Sequence, residues 1–263
     1  MNDQPVRIIQ LSDTHLLEDT QGSLLGVKTE ESFQAVLQAL KKESCDLLLH
    51  SGDLSQDGSA ATYIRLAKAL SALQVPIYSV PGNHDNAKEM ARVFPCENMS
   101  NHRHVVLKDW HLILLNSQVP SAVEGYLDRS QLHYLEHCLQ IYPEHQALIL
   151  FHHHPFALNT SWLDPLGLKN ADELWKLVAN YPKVKVILFG HVHMETERKL
   201  NGIVCYSTPS TCIQFKQNQS VFGLEKLPPG YRVIELFPDG QIKTEVKRID
   251  HYVGHFDEKA QGY

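Results

Sequence analysis

Gly82-Asn83-His84-Asp85 closes an apolar, β-prone run at residues 77–80, and this junction of strand and metal-binding side chains decides the reading of the chain. Four further segments repeat it. Asp13-Thr14-His15 follows residues 6–11, Gly52-Asp53 follows 46–50, His152-His153-His154-Pro155 follows 147–151, and Gly190-His191-Val192-His193 follows 184–189. Side chains at the carboxyl ends of several strands converge on one rim, where open α/β sheets place their sites. Two carboxylates, a carboxamide and several imidazoles exceed the needs of one tetrahedral ion. They suit two five- or six-coordinate ions sharing a bridging carboxylate, as in a binuclear hydrolytic centre.

The bulk composition narrows the alternatives. A formal charge of −6, with no run of Lys or Arg, argues against a surface for a nucleic-acid polymer. The longest apolar runs are strand-length, so no membrane span is expected. The amino terminus enters a strand within a few residues, without the basic-then-apolar pattern of a secretion signal. Five cysteines are scattered without C-x-x-C spacing, which fits reduced thiols in a cytoplasmic protein better than a disulfide frame. Sixteen histidines are the unusual figure, and only some fall in the motifs.

Around the motifs, strand and helix signals alternate. Apolar residues at helical spacing mark helices over 30–42, 60–73, 130–139 and 171–180. Strands over 105–107 and 111–116 flank Lys108-Asp109-Trp110, another covers 203–207, and 231–237 with 241–249 form a hairpin around Pro238-Asp239-Gly240. The loop at 159–170, carrying Trp162, overhangs the fourth motif. The polar segment 208–230 is too long for a simple connector and lines a site or an interface. One domain over 1–263 is expected, with 208–263 partly an extension made of loop, hairpin and polar tail. Its class is α/β, with βαβ units and at least part of a parallel sheet.

Residue by residue, Asp13 and His15 lie two apart, so an extended chain points both at one ion. Asp53 can span two ions and is the natural bridge. Asn83 adds a neutral oxygen, His152 closes the second ion, and His191 and His193 serve one ion or, through a loop twist, two. Two divalent cations outweigh two carboxylates and a bridging hydroxide, so the centre attracts an anion such as phosphate. Ions about 3.5–4 Å apart hold a phosphoryl oxygen and an activated water together. His84, beside Asn83 but aimed differently, is the candidate general acid, with Asp85 to orient or charge its ring.

The order D-x-H, GD, GNH[D/E], H and GHxH resembles the calcineurin-like metallophosphoesterases. The stretches LSDTHL, LLGV, GDLSQD, VPGNHD, LNSQV, FHHHP, SWLD, LKNA and TPSTCIQFK, spread over nearly the whole chain, are similar to bacterial class III 3′,5′-cyclic AMP phosphodiesterases. The resemblance implies a four-layered α/β/β/α sandwich of mixed sheets, its metal site at the carboxyl ends of the strands. It implies two divalent ions of iron, manganese or zinc, one held by Asp13, His15, Asp53 and His193 and the other by Asp53, Asn83, His152 and His191. His153 and His154 then stand outside the ligand set. The implied reaction is hydrolysis of cyclic AMP to 5′-AMP by the bridging hydroxide, which lowers cellular cyclic AMP. His84 assists the departing 3′ oxygen, and His15, Asp53, Asn83, His84 and His193 contact substrate. Other phosphodiesters such as 2′,3′-cyclic nucleotides, or a non-catalytic scaffold, are the rival readings. The oligomeric state is left open, a homodimer included.

Other residues read more plainly. His50 is a packed strand histidine, while His102, His104, His111, His133, His137 and His145 have no partnered spacing and read as surface or partly buried residues. His251 and His255 lie in a polar tail. Cys205 and Cys212 are small buried thiols. Trp162 either stacks on a base or covers local core.

Overall fold

The computed structural model describes residues 4–250, 254–257, 260 and 262, so His251 lies outside the described residues. Two six-stranded mixed sheets face each other. The first runs Ile242–Arg248, Gly230–Leu236, Val6–Leu11, Leu47–His50, Ile77–Ser79, Met99–Ser100. The second runs Thr196–Leu200, Ile203–Ser207, Val184–Phe189, Gln146–Leu150, Trp110–Leu114, His104–Leu107. Every strand that carries a motif is parallel to a neighbouring motif strand. All five motifs therefore leave their sheets at the carboxyl end.

Strand alternation builds the layers. Ile8, Leu47, Leu49, Leu148, Leu150, Val186 and Leu188 turn inward and fill the space between the sheets. Ile9, Leu11 and Leu48 turn outward, onto Phe33, Val36 and Leu37 of Thr29–Leu40 and Tyr63 and Leu66 of Ala60–Leu70. On the opposite side Ile149, Ile187 and Phe189 meet Leu135 and Leu139 of Arg129–Ile141 and Leu174 of Ala171–Val178. The strands are apolar on both faces because both faces are covered. Each buried leucine or isoleucine contributes about 2 kcal/mol. The result is the α/β/β/α sandwich that the resemblance implies.

Several elements depart from expectation. Trp110 opens a strand instead of sitting in the turn; its ring is buried and its Nε1 donates to Phe237 O at 2.8 Å. Thr196–Leu200 is an edge strand with a mostly exposed, charged sequence, so it carries no apolar alternation to read. The helix Ala87–Val93 buries only Met90, too little for a helical period to register. Segment 208–230 contains a short pair, Gln214–Phe215 with Leu224–Glu225. The terminal hairpin is woven into the first sheet, with Gly230–Leu236 antiparallel to Val6–Leu11. No helix of the described residues is long and apolar enough to cross a membrane.

Candidate metal centre

The two sheets bring their motif loops together at one rim, and the loops interlock through the backbone. Asp13 N donates to Gly52 O and His15 N to Asp53 O, both at 3.0 Å. His191 N, from the second sheet, donates to the Asp13 carboxylate at 3.0 Å. Such close approach requires residues without side chains. A Cβ on Gly52, where φ is +99°, would lie 2.3 Å from His152 Nδ1, and one on Gly190 would lie 2.2 Å from Ser12 Oγ.

Asp13 and His15 reach one group as expected, but not because the chain is extended. Both are left-handed, with φ of 53° and 48°, as are Asp53, His191 and His193. The ligand-bearing loops coil instead of continuing their strands. Left-handed backbone costs a non-glycine residue about 1–2 kcal/mol, and a cluster of five points to a functional constraint.

The coiling sorts the side chains into two neighbouring groups that meet at Asp53. On one side are Asp13, His15 and His193: His193 Nε2 is 3.5 Å from Asp13 Oδ1, and the Nε2 atoms of His15 and His193 are 3.1 Å apart. On the other is His152, whose Nε2 lies 3.2 Å from both Asp53 Oδ2 and Asn83 Oδ1. Asp53 Oδ2 is also 3.7 Å from His15 Nε2. His191 and His193 thus diverge, His193 toward His15 and His191 against His152 at a ring separation of 5.1 Å.

The ring tautomers are set from behind. His193 Nδ1 donates to Ile213 O at 3.0 Å and His152 Nδ1 to Ser51 O at 2.7 Å, while His15 Nδ1 meets Gln56 Oε1 at 2.7 Å. Each Nδ1 carries its proton, so Nε2 of each ring faces the carboxylates and the neighbouring rings, as a bare lone pair on His15 and His193. Lone pairs crowded on lone pairs and carboxylate oxygens are repulsive without a cation between them. Asp53 Oδ2 and both ring nitrogens of His191 are buried without a hydrogen-bond partner among the described residues. This donor set fits divalent metal ions.

The electrostatics reflect the same crowding. Burial, helped by the charge on Asp53, pushes Asp13 up to about 7. Burial would raise Asp53 too, but the imidazoles of His152, His15 and His84 outweigh it and hold that carboxyl well below its ordinary value. Burial drives His15 down to about 3. For His152, burial opposes charging, yet Asp53 and Asp13 raise it to about 9. In the protein alone a proton on His152 does part of the work of a cation.

His153 lies within ligand distance of His152 and His191. Its ring is nevertheless saturated: Nδ1 pairs with Ser117 Oγ at 2.8 Å and Nε2 with Val123 O at 2.9 Å. His154 stacks on His191. His84 is half-buried, its N donates to Asp53 Oδ1 at 2.9 Å, and its ring meets that of His15 edge-on. Asp85 behaves differently from the expectation of an orienting partner for His84. Its carboxylate accepts from Leu54 N, Ser55 N, Gly82 N and Tyr63 OH, at 2.9–3.1 Å. Those bonds tie the Asp53 turn to the Gly82 turn.

Sequence reading gave no role to Gln56, Tyr63, Ser117 or Phe215. Gln56, Ser117 and Phe215 stand in the quoted stretches GDLSQD, LNSQV and TPSTCIQFK, but only the fold shows what they touch. Phe215 stacks on the His193 ring at 4.2 Å and 10°. His50, as expected, is packed: it is fully buried, 2.5 Å from Thr14 Oγ1. His111 differs from expectation, because it is fully buried and paired with His104 at 2.9 Å across a hairpin. His255 is exposed, and Cys205 and Cys212 are buried free thiols.

Comparison with known proteins agrees with this geometry. The calcineurin-like phosphoesterase family model matches residues 6–195. The chain is 42% identical to the 3′,5′-cyclic adenosine monophosphate phosphodiesterase CpdA of Vibrio vulnificus, covering 95% of this chain and 92% of that protein. It is 41% identical to CpdA of Escherichia coli K12, over 98% and 95%. Among solved structures, a dimetal phosphatase from Danio rerio shares the fold with a TM-score of 0.64 at 13% identity, covering 94% of this chain and all of that one. The family match, the rim of Asp, Asn and His side chains and the sandwich that carries them agree: the chain belongs to the calcineurin-like phosphoesterases.

Proposed function

We propose that the protein hydrolyses 3′,5′-cyclic AMP to 5′-AMP in the cytoplasm, with two divalent ions, and so lowers cellular cyclic AMP. The observation that carries the reading is the set of Nε2 lone pairs and carboxylate oxygens converging on either side of Asp53. The printed activity of relatives at 41–42% identity supports the substrate.

Asp13, His15, Asp53 and His193 would hold one ion, and Asp53, Asn83, His152 and His191 the other, with iron, manganese and zinc all compatible with the donors. The ions, when bound, supply Lewis acidity toward phosphoryl oxygens and lower the pKa of bound water. Asp53 would be the ligand shared by both ions, since its Oδ2 lies 3.7 Å from His15 Nε2 and 3.2 Å from His152 Nε2. The Gln56, Ser51 and Ile213 oxygens engage Nδ1 of the three rings, so Nε2 is the atom each would offer to an ion. His84 donates a proton to the departing 3′ oxygen. It is suited to this because its backbone is tied to Asp53 while its side chain lines the open cleft beside the centre. Asp85 is a positioning residue that fixes the Asp53 turn against Gly82. Substrate rests against His15, Asp53, Asn83, His84 and His193.

The test is kcat/KM of manganese- or iron-loaded protein on 3′,5′-cyclic AMP beside 2′,3′-cyclic AMP. A clear preference for the 3′,5′ isomer is expected. Preference for the 2′,3′ isomer, or feeble turnover of both, moves the activity to another phosphoester.

A further inference from the structure

We propose that a cleft beside the metal rim is a nucleobase pocket whose walls are Trp162 and Phe222, and that it selects purine nucleotides over bare sugar phosphates. This inference rests on reading the site as one for a cyclic nucleotide. The cleft has a volume of about 470 Å³ and is lined by Asn83, His84 and His191 at one end. It is thus continuous with the centre where the phosphate would lie. Its other lining is apolar and aromatic, including Trp162, Phe215, Val221 and Phe222.

The aromatic trio has an internal division of labour. Phe215 is 2% exposed and gives one face to the His193 ring, so it is floor. Trp162 and Phe222 stand edge-to-face on it and on each other, at centroid distances of 5.1–5.5 Å. Both are half-buried and line the cleft. Val123 and Val221, exposed by 45% and 69%, stand at the rim where apolar side chains gain nothing from water.

Two loops are clasped to form these walls. Ser161 N donates to Gln219 O at 3.1 Å, and Asn218 N to Thr160 Oγ1 at 3.2 Å, each pair just ahead of its ring in sequence. A group leaving the phosphate in this direction must be flat and able to stack on aromatic and apolar walls. A purine satisfies both requirements, because its bicyclic ring offers a broad π face for stacking. The ribose, polar on all sides, satisfies neither.

The experiment compares 5′-AMP with ribose 5-phosphate on manganese-loaded protein, by calorimetry and tryptophan fluorescence. The expected result is that AMP binds about tenfold or more tightly than ribose 5-phosphate and quenches tryptophan emission. Phe222→Ala should erase that advantage while leaving ribose 5-phosphate binding unchanged, and Trp162→Phe should abolish the quench. Equal binding of the two ligands by the unmodified protein overturns the proposal, as does an equal weakening of both by Phe222→Ala. If Phe222→Ala does not fold, the comparison on the unmodified protein still decides. Base selectivity without turnover of cyclic AMP would sink the proposed activity and leave the pocket standing; turnover without base selectivity would sink the pocket alone.

Discussion

The molecule contains two crowds of imidazoles. One is the rim of His15, His152, His191 and His193; the other gathers His104, His111, His145 and the Tyr142 ring near the opposite edge of the second sheet. Ring separations are similar, 5.0–5.1 Å for rim pairs and 5.2–6.3 Å in the edge cluster. The differences lie elsewhere. The rim interleaves its rings with two buried carboxylates and holds five residues in left-handed backbone. None of the four edge residues has a positive φ, and no carboxylate joins them in a metal-competent group among the described residues. A histidine cluster by itself therefore says little. Buried carboxylates and strained turns, which folding alone would avoid, separate a ligand set from ring packing.

Substitutions on each side can break this contrast. Asp53→Ala removes the oxygen that reaches toward both His15 and His152, so metal content should fall below two ions per chain. Its kcat/KM on cyclic AMP should fall by about 10³-fold or more. His111→Gln in the edge cluster should leave both within about twofold. Equal losses from the two variants would erase the distinction. His84→Ala comes next. It should lower kcat by about 10²-fold or more while elemental analysis finds the metal content unchanged. Metal loss in that variant would make His84 a ligand and not an acid.

The contrast also shows what could be read without coordinates. Strand-then-ligand junctions are legible because apolar runs and polar tips are local features, so Asp13, Asp53, Asn83, His152 and His191 could be placed on one rim from spacing and topology alone. The twist of the loops was not legible. Asp13-x-His15 looks like an alternating extended pair, and only its contacts with Gly52 and Asp53 from a neighbouring strand force it into left-handed turns. Asp85 follows His84 in the chain, yet its bonds go to residues 54, 55, 63 and 82, which sequence adjacency conceals. His104 and His111 are seven residues apart, and a hairpin makes them partners. The assignment of each ligand to one ion came from resemblance and not from spacing.

Gly52→Ala tests the interlocking of the rim directly. Its Cβ would press on His152 Nδ1 at 2.3 Å, in a backbone conformation that alanine resists. A destabilisation of about 1–3 kcal/mol is expected in denaturant melts. Displacing the His152 ring should also weaken metal binding by about 10–100-fold. A variant with normal stability and normal metal affinity would mean that the rim is looser than its contacts imply. The comparison would then lose its structural half.

The smallest effect concerns the edge cluster and acid. Burial, reinforced by the His104 and His145 rings, pushes His111 down to about 4, from an ordinary value of 6.5. Its folded value is the depressed one, so the unfolded chain takes up this proton first as pH falls. Stability from neutral His111 is therefore complete above pH 6.5 and is lost progressively as pH drops toward 4. His111→Gln removes that titration while keeping a side-chain group able to hydrogen-bond His104. Thermal melts of metal-free protein at pH 7 and pH 5 should show a shallower fall for the variant than for the unmodified chain, by a few degrees at most. Rim histidines contribute the same acid lability to both proteins, so only the difference of slopes reports on His111. Identical slopes would mean that His111 is protonated in the folded state near pH 6.5, and the edge cluster would then be a charged surface feature and not packed core.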